Sequence, residues 1–263
     1  MPETDFLFLH LRDLPYFRGL LRAIEAHFYQ DIHLPAPTLD VGCGDGHFAS
    51  VTFDRPLEVG IDPWEGPIRE AARRNVYRLL VIGDAGRSPF PDGYFGSALS
   101  NSVLEHIPHV ETVLAETARV LQPGAPFAFC VPNHQFASSL SVGRACDKIG
   151  LHRLGDRYRA FFNRIARHIH CDTPEVWQAR LEAAGFHLER WWHYYPPQAM
   201  RVSEWGHFLG LPSLFVRKLT GRWILSPTRW NLALTMRLVR RFYDNSSICD
   251  DGTMTFYLAR RTG

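Results

Sequence analysis

The sequence predicts an α/β protein built on a doubly wound, largely parallel sheet, and three observations carry that prediction. Short apolar runs alternate with segments of helical period from about residue 37 onward. The first run breaks into three glycines spaced two apart, in "TLDVGCGDGHFA" from Thr38 to Ala49. The next two runs each end on an acid, in "VGIDP" and "VIGDA". Strands alternating with helices imply right-handed crossovers that cover both faces of a sheet, and such sheets bind ligands at the carboxyl ends of their strands.

The elements follow in order. Between Leu14 and Gln30, apolar residues recur at Phe17, Leu20, Leu21, Ile24 and Phe28, a helical period that "LPAPT" terminates. Strands are expected at Leu39–Val41, Leu57–Ile61, Leu79–Ile82, Phe95–Leu99 and Phe127–Val131, with helices near 47–54, 65–75 and 109–121 between them. A sixth strand ends at Tyr194 and Tyr195, and "GTMTFYLARR" supplies the last. The chain thus divides into an N-terminal helical cap (1–36), a core (37–133), an insertion (134–173), more core (174–195), a second insertion (196–250) and the last strand (251–263).

Composition bounds the answer. With 263 residues and 46% hydrophobic content, one sizeable core is expected, hence one elaborated domain. A net charge of +2 argues against general nucleic-acid binding. Cys43, Cys130, Cys146, Cys171 and Cys249 form no CxxC pair and read as reduced thiols. The start, "MPETDFLFLHLRDL", carries acids where a signal peptide carries Lys or Arg, and no apolar run reaches the length of a bilayer crossing. The expectation is a cytoplasmic protein.

Gly42, Gly44 and Gly46 sit where the first strand turns into a helix. A backbone without Cβ approaches a ligand closely, and a helix start offers unpaired N–H groups, so a nucleotide-like ligand is implied. His47 stands where the dinucleotide fingerprint wants its last small residue, which disfavours NAD. Asp62 ends the second strand, where an acid accepts hydrogen bonds from both ribose hydroxyls. Asp84 ends the third.

With "LDVGCGDG", "GIDP", "GDAGRSPFPDGYF", "SNSVLEHI", "ARVLQPG" and "VPN" in order, the chain resembles the class I S-adenosylmethionine-dependent methyltransferases, in particular the type 11 group of quinone- and sterol-pathway enzymes. The resemblance covers roughly 37–132 and resumes near 174–195. It implies a Rossmann-like seven-stranded sheet, parallel except for the last strand, with the insertions forming a lid. It also implies S-adenosylmethionine as cofactor: Asp40, Gly42, Cys43 and Gly44 along the methionine end, Asp62 and Pro63 at the ribose, Asp84 and the Ala85 amide at the adenine, Ser100 and Asn101 beside the sulfonium. Two positions depart from the family pattern, Gly96 where an Asp is usual and Ala125 where a second Gly is usual.

Methyl transfer needs a nucleophile held in line with the sulfonium methyl and shielded from water. For a hydroxyl acceptor, His106 in "VLEHIPH" and His134 after the fifth strand are the candidate bases, and Tyr194 and Tyr195 are further acceptor-site candidates. The fourth strand is followed by "SNSVLEH" rather than the Asn/Asp-Pro-Pro-aromatic run of related base methyltransferases, so that activity is disfavoured. "RHIHCD", with His168, His170, Cys171 and Asp172, lacks paired ligand spacing, and no metal is expected. Between Arg201 and Arg241 stand eight basic residues and one acid, Glu204, interleaved with Trp205, Phe208, Phe215, Trp223 and Trp230. "SPTRWNLALTMRLVRRFYD" reads as a basic amphipathic helix capped at Ser226, with Arg229, Arg237 and Arg240 on one arc and Leu232, Leu234, Met236, Leu238, Val239 and Phe242 on the other. Such a helix serves as a lid or docks on an anionic membrane surface. The expected function is methylation, at oxygen, of a small or lipid-linked acceptor. An RNA- or macromolecule-directed methyltransferase and a catalytically silent scaffold are the alternatives.

Overall fold

The structure is a computed structural model that describes residues 4–244 and 248–263. The first three residues of the acidic N-terminus and residues 245–247 of the second insertion lie outside the described residues. Two helices, α1 (Phe6–Leu11) and α2 (Tyr16–Tyr29), precede β1 (Thr38–Val41), α3 (His47–Thr52), β2 (Leu57–Asp62), α4 (Glu65–Arg74), β3 (Tyr77–Ile82), β4 (Ser97–Asn101), α5 (Val110–Val120) and β5 (Pro126–Pro132). The first insertion folds as α6 (Gln135–Ser138), α7 (Ser141–Lys148) and α8 (His152–Ala166). Then come α9 (Pro174–Ala183), β6 (Phe186–Tyr194), the second insertion as α10 (Pro197–Leu209), α11 (Leu211–Thr220) and α12 (Arg229–Asp244), and β7 (Met254–Arg261).

The seven strands form one sheet in the order β3-β2-β1-β4-β5-β7-β6. All neighbours run parallel except β7, which is antiparallel to both β5 and β6. Side chains alternate across a strand, and this divides β5 between two cores. Phe127, Phe129 and Val131 join Val113, Leu114, Trp177 and Leu181 of α5 and α9. Ala128 and Cys130 face Leu20, Ile24, Ala199 and Val239 of α2, α10 and α12. The order reverses at β1/β4, and the crevice at this switch point opens at the strands' carboxyl ends, where ligands of such sheets bind.

Local chemistry accounts for several departures from the sequence expectations. The Asp5 carboxylate caps α1 by accepting the Phe8 N–H at 3.2 Å, so a separate short helix precedes the one expected from Leu14. Gly96 has no room for the usual Asp, because a Cβ there would lie 2.8 Å from Ala36 O and 2.9 Å from Pro35 O. The basic amphipathic helix is corrected in two respects. It starts at Arg229 rather than at Ser226, with Thr228 Oγ1 accepting the Asn231 N–H at 3.3 Å. Its arginine arc is not a free basic face: Arg229 and Arg240 both pair with Asp5, at 3.2 and 3.0 Å, and Arg229 also covers the Phe8 ring. Leu232 and Val239 are buried against the core, whereas Leu234 and Leu238 are 70% and 61% exposed.

Candidate active site

After β1 the chain turns through Gly42 (φ 77°) and Gly44 (φ 54°), left-handed values that favour glycine. A Cβ on Gly42 would fall 2.4 Å from Val103 Cγ1, whereas one on Gly44 would meet nothing within 4 Å. The first glycine lets the segment after β4 close against the loop, and the second leaves an open cradle over bare backbone. Asp62, buried at the end of β2, accepts the Gly44 N–H on Oδ2 at 3.0 Å and the Trp64 N–H on Oδ1 at 2.9 Å. Each oxygen retains a lone pair, so the same carboxylate that anchors the loop can accept from a diol. Pro63 beside it is exposed. Asp84, exposed beyond β3, accepts the Gly86 N–H at 2.8 Å and shapes the turn carrying the half-buried Ala85.

The other sequence candidates lie deeper. Cys43 is buried against Gly60, where a Cβ would be 2.9 Å from its sulfur. Asp40 is buried below the loop and accepts the Tyr77 hydroxyl at 2.6 Å. Burial pushes its pKa up to about 7, against the Tyr77 hydrogen bond and with the help of the neighbouring Asp62 charge. Ser100 donates to Val41 O at 2.9 Å and is spent inside the sheet. Asn101 donates through Nδ2 to Glu25 at 2.7 Å and accepts from Cys130 Sγ at 3.1 Å. The residue that opens onto free space is the next one, Ser102, with φ 53°.

Glu25 organises this end of the sheet. Its carboxylate is fully buried and accepts from Arg22 (2.6 Å), Asn101 (2.7 Å), Ser102 (3.2 Å) and Tyr194 (2.9 Å), tying α2 to β4 and β6. Beside it lies a cavity of about 400 Å³, the size of small-molecule sites. Its floor is Arg22, Ser102, Glu105 and Met254; α2 contributes Phe17, Arg18 and Leu21. Both insertions supply walls: Phe136, Phe162, Ile165 and His168 from the first, Met200, His207 and Leu214 from the second. One carboxylate couples them, for buried Glu204 of α10 accepts the Ser141 and Val142 N–H groups at 2.6 and 3.2 Å and the Tyr158 hydroxyl at 2.7 Å.

His106 and His168 meet here from opposite sides. The His106 Nδ1–H donates to Arg167 O at 2.9 Å, leaving Nε2 as the lone-pair nitrogen, 3.7 Å from Glu105 Oε1. Glu105 O in turn accepts the Ile169 and His170 N–H groups, at 2.8 and 3.2 Å. Burial holds the His106 pKa below its ordinary value, drops that of His168 to about 3, and raises Glu105 to about 8. One ligand atom each of Glu105, His106 and His168 lies within 4.8 Å of the others, an arrangement able to grip a divalent cation; of the "RHIHCD" run only His168 takes part. His134 is elsewhere, exposed at the start of α6 with its ring 5.9 Å from that of His193, and it does not line the cavity. Tyr194 is core and bonds Glu25, while Tyr195 lines the cavity and bonds Ser203.

Sequence reasoning did not single out Glu25, Arg22, Ser102 or the role of Glu204. A signal existed for two of them: Glu25 is an acid beside Ile24 on the apolar stripe of its helix, and Glu204 is the lone acid in a basic stretch.

Residues 39–129 match the type 11 family model, described as a methyltransferase domain. Members of this family use S-adenosylmethionine. The malonyl-[acyl-carrier protein] O-methyltransferase of Geobacter sulfurreducens is 31% identical over 159 residues, 58% of this chain and 56% of that protein. A fatty-acid O-methyltransferase of Mycolicibacterium smegmatis is 38% identical over 96 residues, 35% of each chain. The 2-phytyl-1,4-naphtoquinone methyltransferase of Synechococcus elongatus is 35% identical over 97 residues, 33% of this chain and 42% of that one. The chain therefore spans about half or less of the length of these relatives. In overall fold it is similar to a SAM-dependent methyltransferase from Thermotoga maritima (TM-score 0.59, 15% identity, 94% of this chain and 91% of that one). It is likewise similar to a geranyl diphosphate C-methyltransferase from Streptomyces coelicolor bound to S-adenosyl-L-homocysteine (TM-score 0.55, 12% identity, 94% and 82%). The residues present fit such a cofactor: an open cradle at Gly44, a carboxylate at the end of β2 and a turn amide at Ala85 lie along adjacent strand ends.

Proposed function

We propose that the protein transfers the methyl group of S-adenosylmethionine to an oxygen of a small or lipid-linked acceptor. The observation that carries this reading is the cavity walled by both insertions and α2, whose floor between Ser102 and Glu105 packs through Val103 onto Gly42 of the glycine loop. Asp62 would hold the ribose hydroxyls, the Gly42–Gly44 backbone the methionine end, and the Asp84–Ala85 turn the adenine. When bound, the cofactor supplies an electrophilic methyl group. The chain's own residues position the acceptor and exclude water from it. If the acceptor is a hydroxyl, His106 is the cavity residue equipped to take its proton, since its Nε2 lone pair is fixed by the Nδ1–H bond to Arg167 O.

Calorimetry with S-adenosylmethionine tests the reading. The intact protein should bind it, and Asp62→Ala should weaken binding roughly 10- to 100-fold, as expected when hydrogen bonds to a charged group are lost. An intact protein that ignores the cofactor would sink the proposal.

A second observation favours a lipid-linked acceptor reached at an anionic membrane surface. In the second insertion, Trp230 and Leu219 are 87% and 86% exposed, with Phe215, Leu225, Leu234 and Leu238 also out in solvent among Arg217, Arg222 and Arg237. Apolar side chains flanked by arginines suit the interface of an anionic bilayer. Co-sedimentation with phosphatidylglycerol vesicles should be stronger than with neutral ones and should weaken with salt; equal indifference to both would remove the membrane from the proposal.

A further inference from the structure

Two loops distant in the chain are sewn together on the floor of the cavity, and three side chains able to give an electron pair emerge from the seam. Glu105 O accepts the Ile169 and His170 N–H groups, at 2.8 and 3.2 Å. In the other direction, Arg167 O accepts the His106 Nδ1–H and Ile107 O accepts the His170 Nε2–H, each at 2.9 Å. These four hydrogen bonds fix the segment after β4 against the one after α8 and leave Glu105, His106 and His168 lining one space. His106 Nε2 is 3.7 Å from Glu105 Oε1, and one donor atom of each of the three lies within 4.8 Å of the others. Two donors on a tetrahedral ion stand about 3.3–3.6 Å apart. A small rotation of the His168 ring, which packs on the rings of Phe136 and His106, therefore completes the set.

A second observation points the same way. Glu105 Oε2 and His168 Nδ1 are buried with no hydrogen-bond partner among the described residues, and Glu105 is only 2% exposed. The Arg22 guanidinium on the same floor is engaged by Glu25 at 2.6 Å. A secluded carboxylate oxygen without a partner is costly, and a cation shared with two imidazoles offsets that cost. The bond from His106 Nδ1–H to a backbone carbonyl is also the support that fixes ring and tautomer in a metal-ligating histidine.

We propose that Glu105, His106 and His168 bind a divalent transition-metal ion, of the zinc or cobalt kind, on the floor of the acceptor cavity. Imidazole donors favour such ions over magnesium and calcium, which take oxygen ligands. Three protein ligands leave a coordination position open, and these three line the space in which an acceptor would sit. The ion's task there rests on the methyl-transfer reading: a hydroxyl that reaches the open position becomes more acidic. Its proton passes to water, its oxygen forms the C–O bond to the methyl carbon, and the C–S electron pair stays with sulfur as S-adenosylhomocysteine leaves. With Nε2 on the ion, His106 is a ligand and not the base.

The test uses the full chain, stripped with a chelator and titrated with Co²⁺, whose visible absorption reports its coordination, beside calorimetry. One Co²⁺ per chain should bind with micromolar or tighter affinity, and a hundredfold excess of Mg²⁺ should not displace it. His106→Ala, at a side chain 40% exposed, and Glu105→Gln, which keeps the buried shape, should each weaken binding at least about tenfold and alter the spectrum. His109→Ala, at an exposed imidazole on the same loop, should do neither. Because His106→Ala leaves the core intact, it decides the matter even where Glu105→Gln does not fold. No Co²⁺ binding by the intact chain, displacement by Mg²⁺, or full affinity retained in either folded variant overturns the inference. Calorimetry of S-adenosylmethionine on the stripped protein tests the methyl-transfer reading separately, and failure there removes the ion's task toward an acceptor while the Co²⁺ titration still decides the site.

Discussion

At the scale of single residues, buried acids divide the work between holding the loop and carrying charge. Asp40 is the clearest case, because burial raises its folded-state pKa to about 7, above the carboxylate value of the unfolded chain. Between those two pKa values the folded state binds more protons than the unfolded one, so Asp40 makes stability fall as pH rises through that window, by at most about 1.4 kcal/mol per pH unit. Asp40→Asn still accepts from Tyr77 and cannot ionise. Urea unfolding from pH 5 to pH 8 should therefore give a flatter stability profile in the variant, and parallel profiles would show that Asp40 does not titrate there. Gly44 supplies a second prediction. A side chain at φ 54° costs roughly 1–2 kcal/mol, yet nothing lies within 4 Å to clash with it. Gly44→Val should thus fold with a modestly lowered denaturation midpoint and lose S-adenosylmethionine binding in calorimetry, because its side chain fills the cradle.

At the scale of elements, two carboxylates hold helices where periodicity alone would not place them. Glu25 joins α2 to β4 and β6 through four donors, and removing one member of such a buried set typically costs ~3–5 kcal/mol. Glu25→Ala should show that loss in chemical denaturation, whereas a change below about 1 kcal/mol, the worth of one exposed pair, would mean that the network is ornamental. Glu204 does for the lid what Glu25 does for the core, and Glu204→Ala should open α7 and α8 to limited proteolysis before the sheet unfolds. This is also where legibility in the sequence changes. Strands such as Phe127–Val131 were readable because a strand buried on both faces must be apolar throughout. The glycines were readable because a left-handed turn demands that residue type, and Asp62 because an acid closes the apolar run of its strand. The cavity was not, since Arg22, Ser102, Phe162 and Met200 are assembled from four distant segments. The direction of the α12 arginines was equally hidden, because it depends on Asp5, more than two hundred residues away.

At the scale of the whole molecule, the sheet and the lid meet at one place, so occupancy of that place should be felt by the entire fold. A ligand that binds only the native state stabilises it by about 2.7 kcal/mol at a hundredfold excess over its Kd. Saturating S-adenosylmethionine should accordingly raise the melting temperature of the intact protein, and Asp62→Ala should lose most of that rise. No helix among the described residues is long and apolar enough to cross a membrane.

The Glu204 contact has a bearing on inheritance. Its carboxylate belongs to one insertion and the two amides and phenol it receives belong to the other, so neither insertion is complete as an evolutionary unit. A recombination event that transplanted α10–α12 without α7 and α8 would carry an acid with no donors into its new host and leave donors without an acid behind. Substrate preference in this chain can drift residue by residue along the cavity wall, but it can be exchanged wholesale only when both insertions travel together.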